Sequence, residues 1–236
     1  MPFFQLEIYH FFDKNSEMEQ ALVIGHIAGG TTALIVGLIL MLRPKGGKTH
    51  VILGWIYTVG MLMVCFSAFS IIAFYRSSFF LLVIGVLTFY NTYIGVRVVR
   101  RRKTKAIQWY DWLITVLTSL FGIGLIGYGI HLYLRIQDFH FAILLSAIFG
   151  IFTLFNGLRD LRKFRAKSYN HPSWWLREHI GNMGGSYIAA FTAFAVQNGD
   201  AFLPDRSIIW LLWVLPGVLG GFIIARTIRL RGLGNA

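Results

Sequence analysis

Long apolar stretches alternate with short polar ones along the whole chain. A helix needs about 20 predominantly apolar residues to cross a bilayer, and runs of that kind fall at 20–42, 51–74, 79–99, 110–133, 140–159, 179–197 and 207–227. Each run is bounded by charged or turn-forming residues. Between the first two stands Arg43-Pro44-Lys45-Gly46-Gly47-Lys48, whose proline and glycine pair predict a tight connection between antiparallel helices. The remaining connections are short too, and they leave no room for a second soluble domain. The pattern therefore predicts an all-α fold, a polytopic transmembrane bundle of about seven helices. Residues 1–19 read as a short extracytoplasmic segment, 20–227 as the membrane domain and 228–236 as a cytoplasmic tail.

Composition agrees with an apolar solvent. The 236 residues are 56% hydrophobic and only 14% charged, against roughly 25% charged in soluble domains. The formal net charge of +12 does not mark a nucleic-acid binder, because the charges sit between the apolar runs and not on one face of a soluble fold. Nucleic acid is thus not an expected partner. Cys65 is the only cysteine, which excludes a disulfide framework and a thiolate cluster. Glu7, Asp13, Glu17 and Glu19 precede the first run, whereas a secretory signal opens with a basic region. The first span is expected to be retained.

The distribution of charge sets an orientation. Of the 22 Lys and Arg residues, 18 fall on one side if the runs alternate, leaving Lys14, Arg76, Arg135 and Arg206 on the other. Basic loops stay in the cytoplasm, so the expected topology is N-terminus out and C-terminus in. Trp109, Tyr110, Trp112, Trp174 and Trp175 lie at the cytoplasmic boundary, where amphipathic rings anchor. The lipid bilayer is the first expected partner. Anionic headgroups at the basic loops are the second, with Arg97, Arg159 and Arg177 as candidates for headgroups or a haem propionate and simple topology determinants as the alternative.

Part of the chain reads as a repeat. Thr88-Phe89-Tyr90-Asn91 is followed by basic residues and Trp109, and Thr153-Leu154-Phe155-Asn156 by basic residues and Trp174, with the same Asn-to-Trp spacing. Parallel repeats of this kind are common in multi-span proteins.

Chemistry is harder to find. No Asp or Glu lies deep within a run, whereas proton-coupled carriers keep one near the midplane. The polar groups that remain are histidines. His26, with His131 or His140, lies towards the outer leaflet; His50 and His179 open the second and sixth runs on the inner side. Two stacked pairs suit a dihaem b-type cytochrome, in which each iron takes two imidazoles from different helices. Haem b is therefore a candidate cofactor, with His26, His50, His131 and His179 as ligands to haem iron or to a bare metal ion. Small residues follow three of them: Gly29 and Gly30, Gly54, and Gly181, Gly184 and Gly185. They would admit a flat macrocycle or a neighbouring helix. Helix capping or headgroup contact is the alternative reading of the histidines. His10 and His171 read as loop residues.

Asn91, Tyr93, Asn156 and Tyr187 are the candidates to line a polar cavity, and interhelical hydrogen bonding is the alternative. At His50-xxx-Gly54 and His179-xxx-Met183 the chain resembles a broad group of uncharacterised bacterial inner-membrane proteins with a His-Arg-x-x-Gly element early and a His-Arg-x-x-Met element late. Here Val51 and Ile180 stand in place of the arginines. The resemblance implies a multi-pass protein of the bacterial cytoplasmic membrane with histidines at helix starts, and no activity. Three functions follow as expectations: a b-type haem electron carrier with an electron-transfer partner, a channel or carrier for a small solute, and an accessory or scaffold subunit of a membrane complex. No Gly-x-Ser-x-Gly, His-Glu-x-x-His or P-loop element points to hydrolysis.

Overall fold

The computed structural model describes residues 16–75, 78–138, 141–166, 172–202, 208 and 210–233. Among them are seven long helices and no strand: α1 Glu17–Leu42, α2 Lys48–Phe74, α3 Phe79–Arg100, α4 Trp109–Ile136, α5 Phe141–Ala166, α6 Trp174–Gln197 and α7 Leu211–Leu230. A single helical turn, Gly199–Phe202, follows α6. All but α6 are long and apolar enough to cross a membrane. The chain has the architecture of a multi-pass helical membrane protein.

Several helices outrun their apolar stretches. α5 continues to Ala166 instead of stopping at 159, α6 starts at Trp174 instead of 179, and α4 ends at Ile136 instead of 133. Hydropathy marks only the part of a helix that sits in hydrocarbon, whereas backbone hydrogen bonding continues into the interface. Buried Phe164 holds the extra turns of α5 in place. Local signals set other ends. Ser16 Oγ accepts from the Glu19 backbone N–H at 3.3 Å and caps α1. A reciprocal capping box between Gln108 and Asp111 opens α4.

α6 falls short of the others in apolarity for a structural reason. Asn182, Ser186 and Thr192 are all buried on it, so its polar side chains serve the interior. The large apolar residues that remain exposed, including Ile35, Phe66, Leu117, Ile151 and Phe222, form the outward faces. Lipid is the solvent that suits them.

The helices divide into two compact units. One holds the described residues up to Thr92 together with Gly184–Gly221; the other holds Tyr93–Met183 and the described residues from Phe222 on. In the first unit α1 and α2 pack through a reciprocal glycine contact. A Cβ on Gly29 would lie 2.9 Å from the Gly60 carbonyl oxygen, and one on Gly60 would lie 2.9 Å from the Gly29 carbonyl oxygen. In the second unit α4 and α5 approach as closely, and a Cβ on Gly122 would lie 2.7 Å from the Leu154 nitrogen. Without a hydrophobic force between helices in lipid, such backbone proximity is the main source of packing energy.

Candidate functional site

The rings of His26 and His179 are held by hydrogen bonds to neighbouring helices. His26, nine residues into α1 and so about 14 Å along it, is half-buried, with Nδ1 3.1 Å from Ser67 Oγ on α2. The single Ser67 proton is already committed to its own helix, with the Met63 carbonyl at 2.7 Å and the Val64 carbonyl at 3.0 Å. In that arrangement Ser67 accepts and His26 donates from Nδ1–H. The imidazole lone pair is left on Nε2.

His179 reaches the same tautomer by another route. Its Nδ1 lies 2.9 Å from the Gly95 carbonyl oxygen, which can only accept, so the ring again donates from Nδ1–H and carries its lone pair on Nε2. Gly95 has no side chain at the point where α3 and α6 touch. A Cβ there would lie 2.5 Å from Met183 Sδ. Because α6 begins at Trp174, His179 stands more than a turn inside its helix, deeper than its apolar run suggests.

His50 is half-buried at the third position of α2, and His131 is exposed on α4. His26 and His50 belong to the first unit, His131 and His179 to the second. His10, His140 and His171, like Lys14, Arg76 and Arg206, lie outside the described residues.

The small residues beside the histidines separate into two kinds. Gly29 is explained by the contact between α1 and α2. Gly54 and Gly181, which follow His50 and His179, are not, since a Cβ at either would meet nothing within 4 Å among the described residues. Helix packing thus accounts for the first glycine and leaves open space at the other two.

The four cavity candidates divide between the two units. Asn91 is buried in the first unit, where a Cβ on Gly185 would lie 3.6 Å from its amide nitrogen, and Tyr187 donates to the Leu34 carbonyl at 3.3 Å. In the second unit Tyr93 donates to Asp111 Oδ1 at 2.6 Å, and Asn156 donates to the Phe152 carbonyl of its own helix at 2.9 Å. No family model, curated protein or solved structure matches this chain. Its chemistry has to be read from its own geometry.

Three polar clusters among the described residues escape sequence reasoning. In the first unit the Ser186 hydroxyl lies 2.9 Å from Tyr57 Oη and 2.7 Å from Thr92 Oγ1, with all three side chains buried. In the second, fully buried Asp111 receives Arg97 Nε at 2.7 Å and Nη2 at 2.6 Å, the Tyr93 hydroxyl, and the Gln108 backbone N–H at 2.9 Å. Lys163 and Glu178 form a counterpart pair at 2.6 Å between α5 and α6, joined by Arg159 and Asp160. Arg97 and Arg159, candidates for a headgroup or propionate, are thus engaged inside the protein. The only sequence sign of the Asp111 cluster was an acidic residue at the third position of a helix, where it can close a capping box.

Proposed function

We propose that this multi-pass membrane protein binds haem b and passes electrons between carriers, with His26 and His179 each supplying an axial imidazole through Nε2. The observation that carries the proposal is that each ring is held at Nδ1 by an oxygen, Ser67 Oγ for His26 and the Gly95 carbonyl for His179. Proteins that use histidine as a metal ligand tie the other ring nitrogen to a carbonyl, carboxylate or water, which fixes the ring and raises its basicity. Ser67 and Gly95 do this for His26 and His179. When bound, the haem iron would supply a one-electron couple, cycling between ferric and ferrous states.

The surroundings fit. The open side of Gly54, one turn after His50 on the same face of α2, leaves room for a flat macrocycle beside that ring. His50 is the next candidate ligand, and exposed His131 the weakest of the four. The distribution of basic residues supports an N-out, C-in chain, and the resemblance at His50-xxx-Gly54 and His179-xxx-Met183 supports a bacterial cytoplasmic membrane.

An absorption spectrum of the detergent-purified protein, oxidised and then reduced with dithionite, tests the reading after expression with ample haem precursor. A Soret band with sharp reduced bands is expected, diminished by His26→Ala and by His179→Ala. A preparation that stays colourless after haem is added would end it.

A further inference from the structure

The second unit gathers four helix ends on one face. The Arg101 guanidinium lies over the Phe164 ring at 4.9 Å and the Trp174 ring at 5.8 Å, which ties the end of α3 to the end of α5 and the start of α6. Trp112 meets Phe164 edge-on at 5.4 Å and brings in the start of α4. Arg102 lies over Trp175 at 5.5 Å.

Charge on this face is divided unevenly. Its carboxylates are turned inward and matched: Asp111 with Arg97, Asp160 and Glu178 with Arg159 and Lys163. The cations Arg100, Arg102, Lys103, Lys105, Arg162 and Arg165 are exposed. Among the described residues, the acids of this face thus lie in internal pairs, while the cations exposed at its surface outnumber them. Trp109, 73% exposed and edge-on to Tyr110, opens α4 four residues after Lys105. An exposed indole next to the polar end of an apolar helix belongs at headgroup depth.

We infer that this face binds the phosphodiester headgroups of anionic glycerophospholipids. Charge complementarity calls for a polyanion, and Trp109 together with the apolar outward faces of α4 and α5 puts the cations at the bilayer boundary, where headgroup phosphates are already concentrated. An acidic protein or a nucleic acid would use the same charge but not the apolar outward faces of α4 and α5, with Leu117, Leu120, Ile148 and Ile151 exposed. The inference stands apart from haem binding.

The test uses the full chain in a zwitterionic detergent. Thermal unfolding and native mass spectrometry are followed while phosphatidylglycerol, phosphatidylcholine, inorganic phosphate or a short single-stranded oligonucleotide is added. Phosphatidylglycerol is expected to stay bound and raise the unfolding temperature, with the other three without effect. Its apparent affinity should fall at least about tenfold in Lys103→Gln/Arg162→Gln/Arg165→Gln, because each charge lost near an anionic surface weakens binding severalfold. Equal retention of phosphatidylcholine, protection by phosphate or oligonucleotide alone, or undiminished phosphatidylglycerol binding in the variant would each overturn the inference. Should the variant fail to fold, the wild-type chain decides: protection by phosphatidylglycerol must fade in about 0.5 M salt, where exposed charges are screened, and its persistence overturns the inference equally.

Discussion

Arg97 and Asp111 face each other across the turn between α3 and α4 in a two-point ion pair, Nε to Oδ1 at 2.7 Å and Nη2 to Oδ2 at 2.6 Å. Fork-to-fork geometry is the strongest form of this interaction. It also leaves little of Asp111 unsatisfied, since Tyr93 and the Gln108 N–H take its remaining acceptor sites. The pair closes one helical hairpin as Lys163 and Glu178 close the next.

Removing one partner should cost more than removing both. Asp111→Asn leaves the Arg97 guanidinium buried beside a neutral amide, and breaking a buried pair in this way costs about 3–5 kcal/mol. Arg97→Met combined with Asp111→Asn should recover part of that loss. Thermal unfolding of Asp111→Asn, Arg97→Met and the double variant in one detergent measures the coupling, and additive losses would show that the pair acts as two independent side chains.

Ser67 should control His26 without touching any ligand. In Ser67→Ala the His26 ring keeps, among the described residues, only its Val64 backbone partner, the Nε2–H tautomer becomes accessible, and haem affinity should fall about 10-fold, the low end of the usual effect of losing a partner of a ligating histidine. Nitrogen NMR of the ring in the haem-free protein gives a second readout. The wild-type chain should show a protonated Nδ1, and Ser67→Ala a mixture of tautomers.

Gly29 and Gly54 should respond oppositely to a larger side chain. Gly29→Val drives a Cβ into the Gly60 carbonyl and should lower the unfolding temperature through lost contact between α1 and α2. Gly54→Val meets open space and should leave thermal unfolding nearly unchanged while reducing haem incorporation. A Gly54→Val protein with full haem content would show that this space takes no macrocycle.

The Ser186 hydroxyl should contribute modestly. Interhelical hydrogen bonds in membrane proteins average about 0.6 kcal/mol and reach about 1.7, so Tyr57→Phe should destabilise by that order. Ser186→Ala, which removes the partner of both Tyr57 and Thr92, should cost more. Denaturation in mixed detergent resolves the difference.

The helices were legible because hydropathy needs no partner. A residue transferred into hydrocarbon contributes the same free energy whichever helix stands beside it, so the seven apolar runs were visible one by one. Even there, the ends of α4, α5 and α6 were misplaced by several residues, since the bilayer boundary and the last hydrogen-bonded turn are different limits. Histidine depth followed the same error, and His179 sits farther inside α6 than the apolar run implied.

Partnership was not legible. His26 and Ser67 are 41 residues apart, His179 and Gly95 84, and Tyr57 and Ser186 129; nothing in local composition links them. Which serine accepts from which ring depends on the rotation of each helix about its axis, which is decided by where glycines such as Gly29 and Gly60 let backbones meet. The sequence alone determined that the chain would form apolar helices and where its positive charge would collect, because both are sums over single residues. Only the tertiary structure decided which carboxylates are spent inside, which ring nitrogens are tied and which glycines face open space, because those are properties of pairs.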